Sequence, residues 1–309
     1  MISVRSYRTT HLCLKDDSYT GLHTDLSSEE QSATHLSVLC SISSPKINYS
    51  KVVNRTPFFI TICAASGSGG MEVNMLKLNS IDAGYGKLGV LWDVSLNVKI
   101  GEFVALVGPN GVGKTTILRT IAGLIKPTKG EILFMDQRIE GKPVQNITKL
   151  GISFVTDDGC LFSGMTVHEN LLLGAYIIKD KEKVKRLLKE VLELFPRLAE
   201  RKTQTVGTLS GGERKMVPIA RGLMSDPKLM LVDEPSLGLA PKLVIAVFES
   251  LKELTKRGVT VLLVEQNVNT SLMIVDRGYV IEQGQIVLQG SSKELRQNEH
   301  IKKSYLGIE

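Results

Sequence analysis

The pattern of apolar and polar positions changes character near residue 71. Before it, serine and threonine are frequent and neither a 3.6-residue nor a two-residue period is sustained. After it, short apolar runs at 75–78, 90–98, 103–107, 151–155, 229–232 and 259–264 read as buried strands. The intervening stretches 115–122, 167–175, 181–194 and the one following Ser210 space their apolar residues three and four apart, as a helix with one buried face does. In the last of these, Met216, Ile219, Ala220 and Leu223 share a face. A hairpin is predicted at 279–287, alternating around Gln283-Gly284. Strands alternating with helices predict an α/β fold, with a helix-rich block at about 157–225.

Composition changes the picture mainly at the N-terminus. Residues 1–70 hold stretches such as Ser41-Ile42-Ser43-Ser44-Pro45 and few large apolar residues, so this extension is expected to stay largely disordered. Its apolar patch, 58–65, is similar to a signal-peptide core but begins far too late in the chain, and reads as linker or as a membrane-surface contact. Met71 and Met75 are natural starts for the folded part. The extension is therefore expected to be a disordered appendage or absent from the natural protein, and an intact mass running from Met1 would refute an internal start. No apolar run approaches the roughly 18 residues of a spanning helix.

A net charge of +6 over 309 residues is modest. The lysines at 179–189 alternate with Glu182, Glu190 and Glu193 as on a solvated face. Because no basic patch is interleaved with aromatics, nucleic acid is not an expected partner. The four cysteines, Cys13, Cys40, Cys63 and Cys160, form no metal or redox spacing and read as reduced thiols. The five histidines form no constellation, and His168 reads as a surface residue at a helix start.

The chemistry is concentrated in three loops. Gly108-Pro109-Asn110-Gly111-Val112-Gly113-Lys114-Thr115-Thr116 joins a predicted strand to a predicted helix. Its glycines let backbone N–H groups converge on phosphate oxygens, where the helix N-terminus adds positive charge. Lys114 supplies a point charge for the outer phosphates, and the Thr115 hydroxyl suits Mg²⁺. A tight turn without a ligand is the alternative, which the full pattern in its strand–helix setting disfavours. The run 229–232 delivers Asp233 and Glu234 to a strand end, Asp233 placed for Mg²⁺ and Glu234 for orienting or deprotonating water. A helix cap or solvated turn is the plain alternative for an acidic pair alone. Ser210-Gly211-Gly212, followed by Glu213, opens a helix as a second anion-binding turn. The same spacing makes a capping box, and both readings hold together.

With these loops the chain, from about residue 75 to 309, resembles the ATP-binding cassette (ABC) ATPases. The resemblance implies a P-loop core within 71–309, with an antiparallel β subdomain and an inserted helical subdomain at about 157–225. ATP and Mg²⁺ are the implied cofactors. It also implies that two subunits close head to tail, each site pairing one chain's Lys114 loop with the other's Ser210, Gly211 and Gly212. Tyr85, in Asp82-Ala83-Gly84-Tyr85-Gly86, fits the place of the family's adenine-stacking aromatic, while by itself it reads as a turn residue. The segments Leu194-Phe195-Pro196-Arg197-Leu198, Pro235-Ser236-Leu237-Gly238-Leu239-Ala240-Pro241 and Leu263-Val264-Glu265-Gln266-Asn267 are similar to the ATPase subunit of branched-chain amino acid importers.

Such a subunit is expected at the cytoplasmic face of the membrane, with two permease subunits, a second ATPase of the same or another kind, and an external substrate-binding protein. The segment at Asp157 and the helical block are expected to meet the permease. Two departures from the wider family concern catalysis. Asp157 stands where the resemblance implies, for most members, a glutamine that contacts Mg²⁺ and water, and for this subgroup often a glutamate; Asp157 is a methylene shorter than that glutamate. Gln266 stands where many place a γ-phosphate-sensing histidine; its amide donates a hydrogen bond but carries no proton. Slower or more tightly coupled hydrolysis, still dependent on Glu234, is the expectation. Urea, amides or another small solute are alternative cargoes. A non-transport ABC ATPase is a third reading, weakened by a single cassette without a heptad array.

Overall fold

The computed structural model describes residues 2–5, 9–12, 37–39 and 73–306. The chain divides into two units, Met1–Met71 and Glu72–Glu309. In the first, where the sequence pattern predicts no element, β1 (Ile2–Arg5) pairs antiparallel with β2 (Thr9–Leu12) and with β3 (Ser37–Leu39). The 58–65 patch and Cys13, Cys40 and Cys63 lie outside the described residues.

The second unit contains two sheets. In the antiparallel one, β4 (Asn74–Tyr85) lies between β5 (Leu88–Lys99) and β7 (Lys129–Phe134), and β8 (Gln137–Arg138) follows at the edge. Only the start of β4 and most of β5 are predicted by the pattern. Past Leu78, the polar Asn79, Ser80 and Asp82 interrupt the alternation, and the β4–β5 ladder shifts register there, with Ser80 at φ 48°. The other sheet contains β6 (Phe103–Val107), β9 (Ile152–Val155), β10 (Leu229–Asp233), β11 (Thr260–Glu265), β12 (Arg277–Glu282) and β13 (Gln285–Ser291). Its order is β13-β12-β6-β11-β10-β9, parallel throughout except for β13. The predicted hairpin is β12–β13, with Gln283 and Gly284 both at positive φ.

Burial on both faces explains why the central strands read as unbroken apolar runs. Val104 and Leu106 of β6 pack on the side of the antiparallel sheet, with α1 (Lys114–Ile121) and α2 (Val144–Leu150). Phe103, Ala105 and Val107 pack on the other side. The helices there are α3 (Val167–Gly174), α4 (Lys181–Leu194), α5 (Pro196–Glu200), α6 (Gly211–Leu223) and α7 (Pro241–Lys256). They are joined by α8 (Val268–Leu272), α9 (Ser292–Gln297) and α10 (Glu299–Ile301). The α2 and α5 helices and α7 to α10 are absent from the pattern-based prediction. The signal for α7 is nevertheless in the sequence, as Pro241 at its first position followed by Val247, Phe248, Leu251 and Leu254 at helical spacing.

A half-buried polar network around Tyr279 joins the two sheets. Arg277 of β12 donates from Nε and Nη2 to the two Glu102 carboxylate oxygens at 2.7 and 3.0 Å, and from Nη1 to the Tyr279 hydroxyl at 2.6 Å. The Asn97 backbone N–H of β5 donates to the same hydroxyl at 2.9 Å, and Tyr279 is fully buried. Register then sets the functional edge. Val107 lies opposite Glu265, and Asp233 opposite Val264, so β6, β11 and β10 finish at one level.

Candidate functional site

The loop 108–113 leaves β6 at this edge and enters α1. Gly108 is required by close approach, since a Cβ there would stand 2.3 Å from the Ile281 carbonyl oxygen of β12. Gly113 caps α1 at φ 106°, a left-handed conformation in which a Cβ would also meet Leu91 at 2.6 Å. Pro109, Asn110 and Gly111 are exposed, Val112 is half-buried, and Thr116 is buried. Lys114 is 4% exposed. Its ammonium donates to the carbonyls of Gly108 at 3.0 Å and Pro109 at 2.8 Å, and pairs with Glu234 Oε1 at 3.1 Å. Two of these acceptors are carbonyls of its own loop and the third is a carboxylate from the end of β10, so the cation faces the loop's interior and the acidic strand end together.

Thr115 donates its hydroxyl to Asp233 Oδ1 at 3.2 Å. Asp233 is 1% exposed, and its Oδ2 is buried without a hydrogen-bond partner. Burial pushes the Asp233 carboxyl up to about 6; Asp157 and Glu234 add like charge, and the Thr115 hydrogen bond opposes the rise. An orphaned carboxylate oxygen beside a hydroxyl is the donor set that fits Mg²⁺, which prefers one or two carboxylates completed by phosphates and water. Among the described residues no group of three or more His, Cys, Asp or Glu forms an all-protein cage.

Glu234 has φ 41°, which is unusual outside glycine. Its N–H donates to the Val264 carbonyl at 2.9 Å. The neighbouring Glu265, which the sequence reading did not single out, is 2% exposed and accepts from Ser236 and from the Gln266 N–H. Burial raises its carboxyl above the ordinary range despite the Ser236 bonds. The available signal was a carboxylate closing an apolar run, as Asp233-Glu234 also does. Gln266 is exposed just beyond it.

Lys114, Thr115, Asp233 and Glu234 are thus brought into direct contact, with Gln266 on the adjoining strand end. Asp157 is exposed on the loop after β9, whose carbonyls are tied to α6: Lys215 donates to the Asp157 carbonyl at 2.7 Å, and Arg221 to those of Gly159 at 2.6 Å and Cys160 at 2.8 Å. Asp157, Gly211, Arg214 and the 235–239 turn border a common cleft of about 410 Å³. Tyr85 is 45% exposed at the end of β4 and accepts from Arg119 Nη1 of α1 at 3.2 Å. Ser210 and Gly211 are exposed at the start of α6, where Ser210 and Glu213 form the capping box, and Gly212 is buried against Leu243. Among the described residues no hydrogen bond or ion pair joins this turn to the 108–116 loop.

The protein family described as ABC transporter matches residues 91–237. Over 233 residues the chain is 45% identical to the high-affinity branched-chain amino acid transport ATP-binding protein BraG of Pseudomonas aeruginosa, covering 75% of this chain and 100% of that one. It is 34% identical over 237 residues to the lipopolysaccharide export system ATP-binding protein LptB of Haemophilus influenzae, covering 76% and 98%. Among solved structures, the ADP conformation of an ATP-binding cassette of an ABC transporter matches with a TM-score of 0.69 at 30% identity, covering 76% of this chain and 99% of the other.

Proposed function

The chain belongs to the ABC transporter family of ATP-binding subunits, and from that premise we propose that it powers an importer of branched-chain amino acids. It is an ATPase. The cargo reading is supported by the 45% identity along the whole of BraG, against 34% to the lipopolysaccharide-export relative.

The hydrolytic reading is carried by one observation, the Lys114–Glu234 ion pair beside Thr115 and Asp233. ATP enters with its phosphates on the 108–116 loop and its adenine against Tyr85. The ammonium of Lys114 exchanges the Gly108 and Pro109 carbonyls and Glu234 for outer phosphate oxygens. That exchange frees the Glu234 carboxylate to take a proton from water attacking the γ-phosphorus, and the β–γ bridging oxygen leaves with the bond's electrons as ADP. Thr115 and Asp233 would hold Mg²⁺, with Asp157 near it; the ion supplies charge neutralisation at the phosphates. Gln266 donates its amide to the γ-phosphate. Ser210, Gly211 and Gly212 face the nucleotide of a second subunit.

No described helix is long and apolar enough to cross a membrane. The solute path is assigned to two permease subunits, docked at the cytoplasmic face against the Asp157 loop and the helices around it, with an external binding protein delivering cargo. Turnover of the purified chain tests the chemistry. Glu234→Gln should lower kcat by about 10²-fold or more with ATP binding retained, and unchanged turnover would remove Glu234 as the base. Uptake by the reconstituted transporter should respond to leucine, isoleucine or valine, and a response to urea alone would reassign the cargo.

A further inference from the structure

Glu265 is a buried carboxylate to which the hydrolytic reading gives no role. It closes β11 at 2% exposure and collects three hydrogen bonds from two chain segments. The Ser236 N–H donates to Oε1 at 3.0 Å, the Ser236 hydroxyl to Oε2 at 2.8 Å, and the Gln266 N–H to Oε2 at 3.3 Å. Ser236 lies two residues beyond Glu234. The same carboxylate therefore holds the turn carrying the proposed base and the residue carrying the proposed γ-phosphate donor.

Two costs show that the arrangement is more than a strand end. Burying a carboxylate is expensive unless it is well hydrogen-bonded, and the Glu234 charge nearby adds repulsion. The left-handed conformation of Glu234, φ 41°, survives only where surrounding contacts over-determine it. Those contacts are the Glu234 N–H to the Val264 carbonyl, the Leu237 N–H to the Glu234 carbonyl at 3.1 Å, and the anchoring of Ser236 by Glu265.

Resting on the reading of Glu234 as base and Gln266 as phosphate donor, we propose that Glu265 is a positioning residue. By clamping Ser236 to the Gln266 backbone it fixes the Glu234 turn, so that the Glu234 carboxylate and the Gln266 amide converge on one γ-phosphate. Pro235, Leu237, Gly238 and Leu239 of this turn border the cleft that also receives Asp157 and Gly211. Clamp geometry is thereby linked to the loop proposed to meet the permease.

The test compares ATPase kinetics, ATP affinity and thermal midpoint of the full chain with those of Glu265→Gln, Ser236→Ala and the double variant, with Glu234→Gln as reference. Misplacing a catalytic group lowers kcat, so Glu265→Gln should lose about tenfold in kcat with KM and ATP affinity within about twofold. The double variant should be no slower than Glu265→Gln, because both changes break one clamp. An unchanged kcat, or losses that multiply, overturns the proposal; so does a rise in KM that accounts for the whole loss. If Glu265→Gln fails to fold, Ser236→Ala carries the test. It removes one hydroxyl and should still cost about threefold in kcat at constant KM, and wild-type kcat overturns the clamp. Turnover surviving Glu234→Gln would defeat the underlying reading instead; turnover lost in Glu234→Gln but intact in Glu265→Gln defeats the clamp alone.

Discussion

Asp233 carries its charge at a cost in the metal-free protein. Its carboxyl titrates near 6 when folded, pushed up first by burial, against 3.8 when unfolded. The folded chain therefore holds the proton more tightly, and the stability associated with it is complete below about pH 4 and lost as pH rises through 6. At 1.36 kcal/mol per pKa unit, the upper bound of that loss is about 3 kcal/mol. In chelator, the stability advantage of Asp233→Asn over wild type should grow by up to this amount between pH 4 and 7, read from urea midpoints. A difference that stays flat over this interval would show that Asp233 is not buried in its charged form. Mg²⁺ reverses the preference, so wild-type affinity for Mg²⁺-nucleotide should rise with pH through about 6. Lys114, Thr115, Asp233 and Glu234 were legible because their residue types and spacing have few other uses. Glu265 was not, because a lone carboxylate at a strand end has many.

The elements that the pattern predicts are those buried on both faces or on one full stripe. All five parallel strands β6, β9, β10, β11 and β12 arise from apolar runs or from the hairpin signal, and α4 is predicted with its observed ends, Lys181–Leu194. The antiparallel sheet was less visible, because β4 is broken by register shifts after Leu78 and β8 has two exposed residues. The α6 helix contains Pro218, which has no N–H to donate, yet it runs on to Leu223 with Pro218 packed in its buried face. The tie between the sheets was also invisible, since Glu102, Arg277, Tyr279 and Asn97 meet only when β5, β6 and β12 are assembled. Arg277→Ala would remove both guanidinium bonds from Glu102, which keeps the Lys99 N–H, and one donor from the Tyr279 hydroxyl, which stays bonded to Asn97, and should cost about 2 kcal/mol in urea unfolding. A loss below about 1 kcal/mol would class the pair with exposed ion pairs. Burial raises the Glu102 carboxyl, but Arg277 and the Lys99 N–H outweigh it and hold the carboxyl below its ordinary value. The tie thus stabilises above about pH 4.5 and weakens as pH falls below it.

At the scale of the whole molecule, no described hydrogen bond or ion pair joins the Ser210 turn to the 108–116 loop, and the proposal that a second chain completes each site can be tested by mixing variants. If each site takes Lys114 from one chain and Ser210 from another, Lys114→Ala and Ser210→Ala chains are each inactive as homodimers, for different reasons. A mixed dimer then has one site with both defects and one with neither. Equal mixing makes half the dimers mixed, each with one intact site of two, so about a quarter of wild-type ATPase should return from two inactive preparations if the sites act independently. Sites completed within a single chain predict the opposite, since neither variant then holds an intact set and mixing restores nothing. Cross-linking that demonstrates mixed dimers, together with no restored turnover, would refute the composite site. Restoration only on adding a different ABC ATPase would make that subunit the partner and leave the two sites inequivalent, because its turn would then face Lys114 of this chain.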